Sequence, residues 1–135
     1  MTIQIGTTAR TAMIQALVTA LGASPHLKLF AGSVPANPQA ADAGSAIVDM
    51  TLPATPFGAV ASGSVAKAGT WSGVGAAAAG AGTDVTHFRL YTSGGTCLYQ
   101  GTAGEVAEDL LLDNANIAEA QTVTVTAFTI TDGSA

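Results

Sequence analysis

Apolar positions recur along the first part of the chain with the period of a helix and along the rest with the period of a strand. In "TTARTAMIQALVTAL", residues 7–21, Met13, Ile14, Leu17, Val18 and Leu21 fall at the spacing that lines one helical face. Thr7 or Thr8 is placed to cap the N-terminus and Gly22 to stop the helix. Ahead of it, "TIQI" alternates like a short strand or an extended arm. After Gly22 the punctuation becomes Gly, Pro, Asn and Ser. Between these breaks lie "HLKLFAG", a Pro-punctuated loop "SVPANPQAADAGS", then "AIVDMTL", "GAVASGSVAKA" and "TWSG". The strongest strand patterns are "DVTHFRLY", "TCLYQG", "EDLLLD" and "TVTVTAFTIT".

Seven or eight short strands, with no βαβ alternation among them, predict a mainly β fold: an antiparallel β-sandwich or jelly-roll-like barrel with one N-terminal α-helix. Residues 1–22 form the arm and helix and residues 23–135 the β-sandwich, and a length of 135 suits a single compact domain overall. Two stretches are irregular. "GVGAAAAGAG", residues 73–82, reads as a loop or weak edge strand, because glycines on both sides leave an isolated turn of helix too short to persist. In the last strand, Val123, Val125 and Ala127 share one parity while Phe128 and Ile130 take the other. That switch predicts a bulge near Ala127, or a strand passing from core to interface.

Charge narrows the function classes. Nine acidic residues against four basic give a net charge of −5, and Arg10, Lys28, Lys67 and Arg89 are scattered. Nucleic acid is therefore not an expected partner, since phosphate backbones need clustered cations. Charged residues make up 10% of the chain, against roughly a quarter in ordinary soluble domains. Such a surface is either Thr, Ser, Gly and Ala facing water, or that of a subunit whose neighbours replace hydration. No run of about 18 apolar residues and no basic-then-apolar start is present, so neither a membrane span nor a signal peptide is expected. Cys97 is alone, which excludes an intrachain disulfide and a thiolate zinc set.

"THFRLYTSGGTCLYQG", residues 86–101, gathers one of the two histidines, both tyrosines and the cysteine. A two-residue turn at Ser93-Gly94, or a four-residue loop at 92–95, sets Tyr91 opposite Thr96, Leu90 opposite Cys97 and Phe88 opposite Tyr99. Phe88, Leu90, Cys97 and Tyr99 then share an apolar face, with His87, Arg89 and Tyr91 on the other. A Cys–His nucleophile pair needs hydrogen-bond reach, which this register denies. Cys97 reads as a buried small hydrophobe and His87 as a solvated or interface histidine, with no carboxylate beside it on the hairpin.

Other chemistry is thin. "GVGAAA" fits the loose dinucleotide pattern but lacks the preceding strand, the following helix and the acidic residue that its mechanism requires. Glu105, Glu108, Asp109 and Asp113 flank "LLL", and the expectation is a buried strand with charged ends rather than a hydrolytic pair or a calcium loop. No catalytic residue, cofactor site or metal site is expected. Trp71 is either a core anchor or a partner-facing hot spot.

The order of segments carries a further signal. "LKLFAGSVPANP", "ADAGSAIVDMTLPATPFGAVASGSVAKAG", "VTHFRLYTSGGTCLYQGTAG" and "DLLLDNANIAEAQTVTVTAFTIT" follow one another over residues 27–131. This order resembles a group of small virion structural proteins of tailed bacteriophages. The group shares an element like Pro56, Phe57, Gly58, Ala59, a Thr-x-Phe-Arg-hydrophobic hairpin and a Leu-rich strand before a Thr/Val-rich terminal strand. The resemblance implies a non-enzymatic particle component, a capsid decoration or cement protein, made in the host cytoplasm and held on the capsid surface. Its implied partners are the major capsid protein and copies of itself, with no membrane and no nucleic acid. Candidate contacts are Ile3, Ile5, Trp71 and Val74, in the arm and around the Gly-Ala loop. The alternatives are a tail or head–tail joining subunit, and a carbohydrate-binding module that would stack sugars on Trp71, Tyr91 and Tyr99.

Overall fold

The computed structural model describes residues 3–131. Met1, Thr2 of the predicted arm and residues 132–135 of the predicted β-domain lie outside the described residues. Helix α1 runs Thr7–Leu21, the predicted bounds. Gly6, rather than Thr7 or Thr8, is the N-cap, in extended conformation, and no side chain caps the helix. Thr7 instead accepts a hydrogen bond from Arg10 Nη2 at 3.2 Å. Gly22 ends the helix at φ 71°, its N–H reaching the Val18 carbonyl at 3.4 Å. The buried stripe is narrower than the sequence period suggests. Ile14 and Leu21 enter the core and Leu17 and Val18 pack against it, but Met13 is 51% exposed. Among the described residues the arm at Ile3–Ile5 has no strand partner, and Ile3 is 85% exposed.

Ten strands follow among the described residues: β1 His26–Phe30, β2 Val48–Thr51, β3 Ser64–Ala66, β4 Ser72–Val74, β5 Thr83–Asp84, β6 His87–Tyr91, β7 Cys97–Gly104, β8 Leu110–Leu112, β9 Asn116–Ile117 and β10 Thr122–Thr131. Eight form one sheet in the order β2-β1-β6-β7-β8-β10-β3, with β4 also on β10, while β5 and β9 pair separately. The fold is mainly β with one N-terminal helix, as expected, but the sheet is mixed rather than wholly antiparallel. β7 and β8 run parallel through Ala103–Leu110 and Gly104–Leu111. Parallel neighbours ordinarily require a long crossover. Here the pairing is two residues long, so residues 105–109 need only double back, with Ala107 at φ 58°.

The sheet curls into a half-barrel, and an isolated antiparallel bridge between Val48 and Gly75 brings its far ends together. This approach needs glycine. A Cβ on Gly73 would lie 2.8 Å from Met50 Cβ, and one on Gly75 would lie 1.9 Å from the Ala118 carbonyl oxygen. The Gly-Ala run between these strands contains one 3₁₀ turn, Ala77–Ala79, which the loop or edge-strand expectation missed. Burial of Ala79 and the hydrogen bond from Glu119 N–H to the Gly80 carbonyl at 2.8 Å supply the tertiary support that an isolated turn lacks.

The parity switch in β10 is a bulge. Val125 pairs with Leu112 and Ala127 with Leu111, which leaves Thr126 as the extra residue. Val123 and Val125 before it and Phe128 and Ile130 after it all point into the core. At the centre of that core Trp71, Phe57, Phe128 and Phe88 meet with ring centroids 5.2–6.3 Å apart. Trp71 is 0% exposed and its indole N–H is shared by the Pro56 and Ala68 carbonyls, each at 3.2 Å. Trp71 is thus a core anchor, and its place among the candidate partner contacts is corrected.

Candidate functional site

The outer face of β2, β1, β6 and β7 carries both histidines, the cysteine and two of the four basic side chains. Cross-strand register aligns them in rows: Thr51, His26, Tyr91 and Cys97; then Asp49, Lys28, Arg89 and Gln100; then Phe30, His87 and Thr102. The loop between β1 and β2 folds over the last two rows and is held there by polar contacts. Thr86 Oγ1 donates to the Gly32 carbonyl at 2.6 Å, and Gln100 Nε2 donates to the Pro35 carbonyl at 2.7 Å. Arg89 Nη2 donates to the Pro38 and Ala40 carbonyls at 2.8 Å each, and Nη1 to Asp42 at 2.5 Å. The Tyr91 hydroxyl donates to the same Asp42 carboxylate.

The side chain of Arg89 is 1% exposed, so its charge stands almost wholly out of water. Burial opposes that charge, the Asp42 carboxylate and its hydrogen bond favour it, and on balance the pKa of Arg89 is raised. Burial, together with the hydrogen bond to Asp42, also pushes the Tyr91 phenol up, which keeps it protonated as a donor. His87 is fully buried and stacks on Phe30 with centroids 5.3 Å apart. Its Nδ1 lies 3.0 Å from Thr86 Oγ1, whose own proton serves the loop, and its Nε2 has no partner. Burial and then the neighbouring Arg89 lower the His87 pKa, partly offset by the Gly32 carbonyl and Asp42.

These contacts correct the predicted hairpin. The loop has three residues, Ser93–Gly95, closed by Thr92 N–H to the Thr96 carbonyl and Gly95 N–H to the Thr92 carbonyl, both at 2.9 Å, with Gly95 at φ 95°. Tyr91 therefore pairs with Cys97, and an extra residue at Leu98 moves Leu90 onto Tyr99. Cys97 turns to the polar face beside Tyr91 and is half-buried instead of lying in the core. Along that face His87 is still four residues from the Cys97 row, about 13 Å, so no nucleophile pair forms. His87 is buried, not solvated, and the carboxylate that the hairpin lacks arrives from outside as Asp42. Tyr91 and Tyr99 do stand on opposite faces, and with Trp71 in the core the three aromatics form no common platform.

Beside the clamped loop lies an open cleft of ≈ 220 Å³ lined by His26, Lys28, Asp49, Tyr91 and the turn Thr92–Gly95. His26 Nδ1 stands 3.0 Å from Asp49 Oδ1, and Lys28 Nζ lies 4.7 Å from the Tyr91 ring centroid. Sequence patterns did not single out His26, Asp49 or Asp42. Their one signal was alternation, which sets His26 and Lys28 on the same face of β1.

Three other carboxylates hold backbone. Asp109 accepts from the Thr102 N–H at 3.0 Å, Glu105 from Ala115 N–H at 3.3 Å, and Asp113 from Thr124 N–H at 2.9 Å. Among the described residues no three His, Cys, Asp or Glu side chains gather where a metal would be held, and no helix is long and apolar enough to cross a membrane. Of the remaining candidate contacts, Ile3 and Val74 are exposed and Ile5 is half-buried. Set against models of known protein families, curated proteins and solved structures, the chain matches none.

Proposed function

We propose that this chain is a non-enzymatic structural protein of a tailed-phage particle, a decoration or cement subunit bound to the capsid surface in many copies. The observation that carries this reading is the charge-poor exterior of a small curled β-sheet. Only 10% of residues are charged, and one of the four basic ones, Arg89, is consumed inside the fold. The order of segments that resembles phage virion proteins points the same way. The polar cluster around Arg89 spends its hydrogen bonds on fixing a loop, which suits a scaffold better than a reaction centre. Many weak contacts on neighbouring sites would bind through raised effective concentration.

The test is sedimentation of the purified protein with expanded, undecorated phage heads, measuring bound copies per major capsid subunit. Saturation at a fixed lattice ratio is the expected result. Zero copies, or a handful per particle, would overturn the decoration reading in favour of the tail or the head–tail junction.

A further inference from the structure

One strand edge in the main sheet has no strand along most of its length. β7 pairs with β6 over Cys97–Thr102, but on its other side only Ala103 and Gly104 meet β8. The ladder alternation fixes which groups face outward. Ala103 N–H bonds to the Thr86 carbonyl across the β6 pair, whereas the Thr102 N–H points away and is taken by Asp109. Two residues earlier, Gln100 also directs its N–H and carbonyl away from β6, and neither has a hydrogen-bond partner among the described residues. Open edges are usually blunted by lysine, proline or a covering element. The stretch "CLYQG", residues 97–101, holds no charge and no proline.

The same chain carries a strand-patterned segment with nothing to pair with. Ile3, Gln4 and Ile5 alternate apolar and polar, stand ahead of α1 and join no sheet, and Ile3 leaves 85% of its surface in water. Three or four residues span about 10–13 Å of strand, which matches the open part of β7. Both segments are uncharged, so pairing them between copies brings no like charges together in a chain of net charge −5. We propose that the N-terminal arm of one copy adds as a strand to the open edge of β7 in a second copy. Backbone hydrogen bonds supply the attraction, and Ile3 loses its water contact. Two copies can make the contact reciprocally as a dimer, or it can run from copy to copy into a ring or a filament. The inference rests on the many-copy reading above and names the surface through which copies meet.

Cys97, the sole cysteine and half-buried at this edge, provides the probe. Neighbouring strands bring paired residues within disulfide range. Gln4→Cys, with Ile3→Cys and Ile5→Cys to cover the register, is oxidised mildly in the otherwise intact protein. Products are resolved on non-reducing gels and the linked peptides identified by mass. The expected result is an inter-copy bond between the arm cysteine and Cys97, about tenfold more abundant than for Ala16→Cys on the exposed helix face, as proximity predicts. Links no more frequent than in that control, or an arm–Cys97 bond formed only within one chain, would overturn the proposal. The head-sedimentation assay separates the two readings. Lattice-ratio binding without arm–Cys97 links removes the arm exchange alone, and links without head binding remove the decoration role alone.

Discussion

Replacing Arg89 with methionine tests whether the polar face is a clamp. Methionine keeps much of the length and apolar stem but removes every donor. The Pro38 and Ala40 carbonyls each lose a 2.8 Å hydrogen bond, and Asp42 loses its cation. Each neutral bond contributes about 1 kcal/mol, and bonds involving a charged group about 1.5–3 kcal/mol. Asp42 is 34% exposed and regains water, which puts its share at the lower end. Removing the buried guanidinium also returns part of its desolvation cost. The net loss is about 3 kcal/mol, or roughly 10 °C in Tm for a domain of this size. Thermal unfolding measures the total and amide hydrogen exchange locates it. Exchange should accelerate in the loop at 32–46, while β8 and β10 keep their protection. A change below about 0.5 kcal/mol, the range of ordinary surface substitutions, would refute the clamp, and so would an equal loss of protection across the sheet.

Two further outcomes follow from other parts of the molecule. The lowered pKa of His87 means that the unfolded chain takes up a proton more readily than the folded one. Stability should therefore be full above the ordinary histidine value of about 6.5 and fall as pH drops from there to the folded value. Melting curves from pH 8 to 5 should show this slope in the parent protein and flattened in His87→Gln. At the far end of the sheet, Gly75→Ala sets a methyl 1.9 Å from the Ala118 carbonyl oxygen, which forces the backbone apart and should cost about 3 kcal/mol or more. Gly94→Ala, whose nearest neighbour would be 3.7 Å away, should stay within about 0.5 kcal/mol in urea titrations.

The local elements were legible because their signals are local. Helical spacing gave α1 its bounds, and the parity change after Val125 announced the bulge that Thr126 makes. Trp71 stayed ambiguous because nothing in "GTWSG" says that Phe57, Phe88 and Phe128 converge with it from distant strands. The hairpin register failed for a narrower reason. Ser93-Gly94-Gly95 serves two-, three- and four-residue turns alike, and one extra residue at Leu98 cannot be read from a run in which all side chains are half-buried. The clamp was invisible because Arg89 and Asp42 are 47 positions apart and meet only when the loop lies down on the sheet. The parallel β7–β8 pair went unpredicted for a similar reason: a two-residue ladder leaves no trace in an alternation pattern.

Strand β10 pairs with β8 along one edge and with both β3 and β4 along the other, and it supplies Val123, Val125, Phe128 and Ile130 to the core. It is also the last of the described elements in chain order. A ribosome emerging with residues up to 121 therefore displays β3, β4 and β8 without the strand that joins them, and Trp71 without Phe128 against it. The sheet is complete only once β10 itself is free to pair. A chain lacking β10 would persist as an open sheet, a species for chaperones and proteases rather than a weaker version of the same protein.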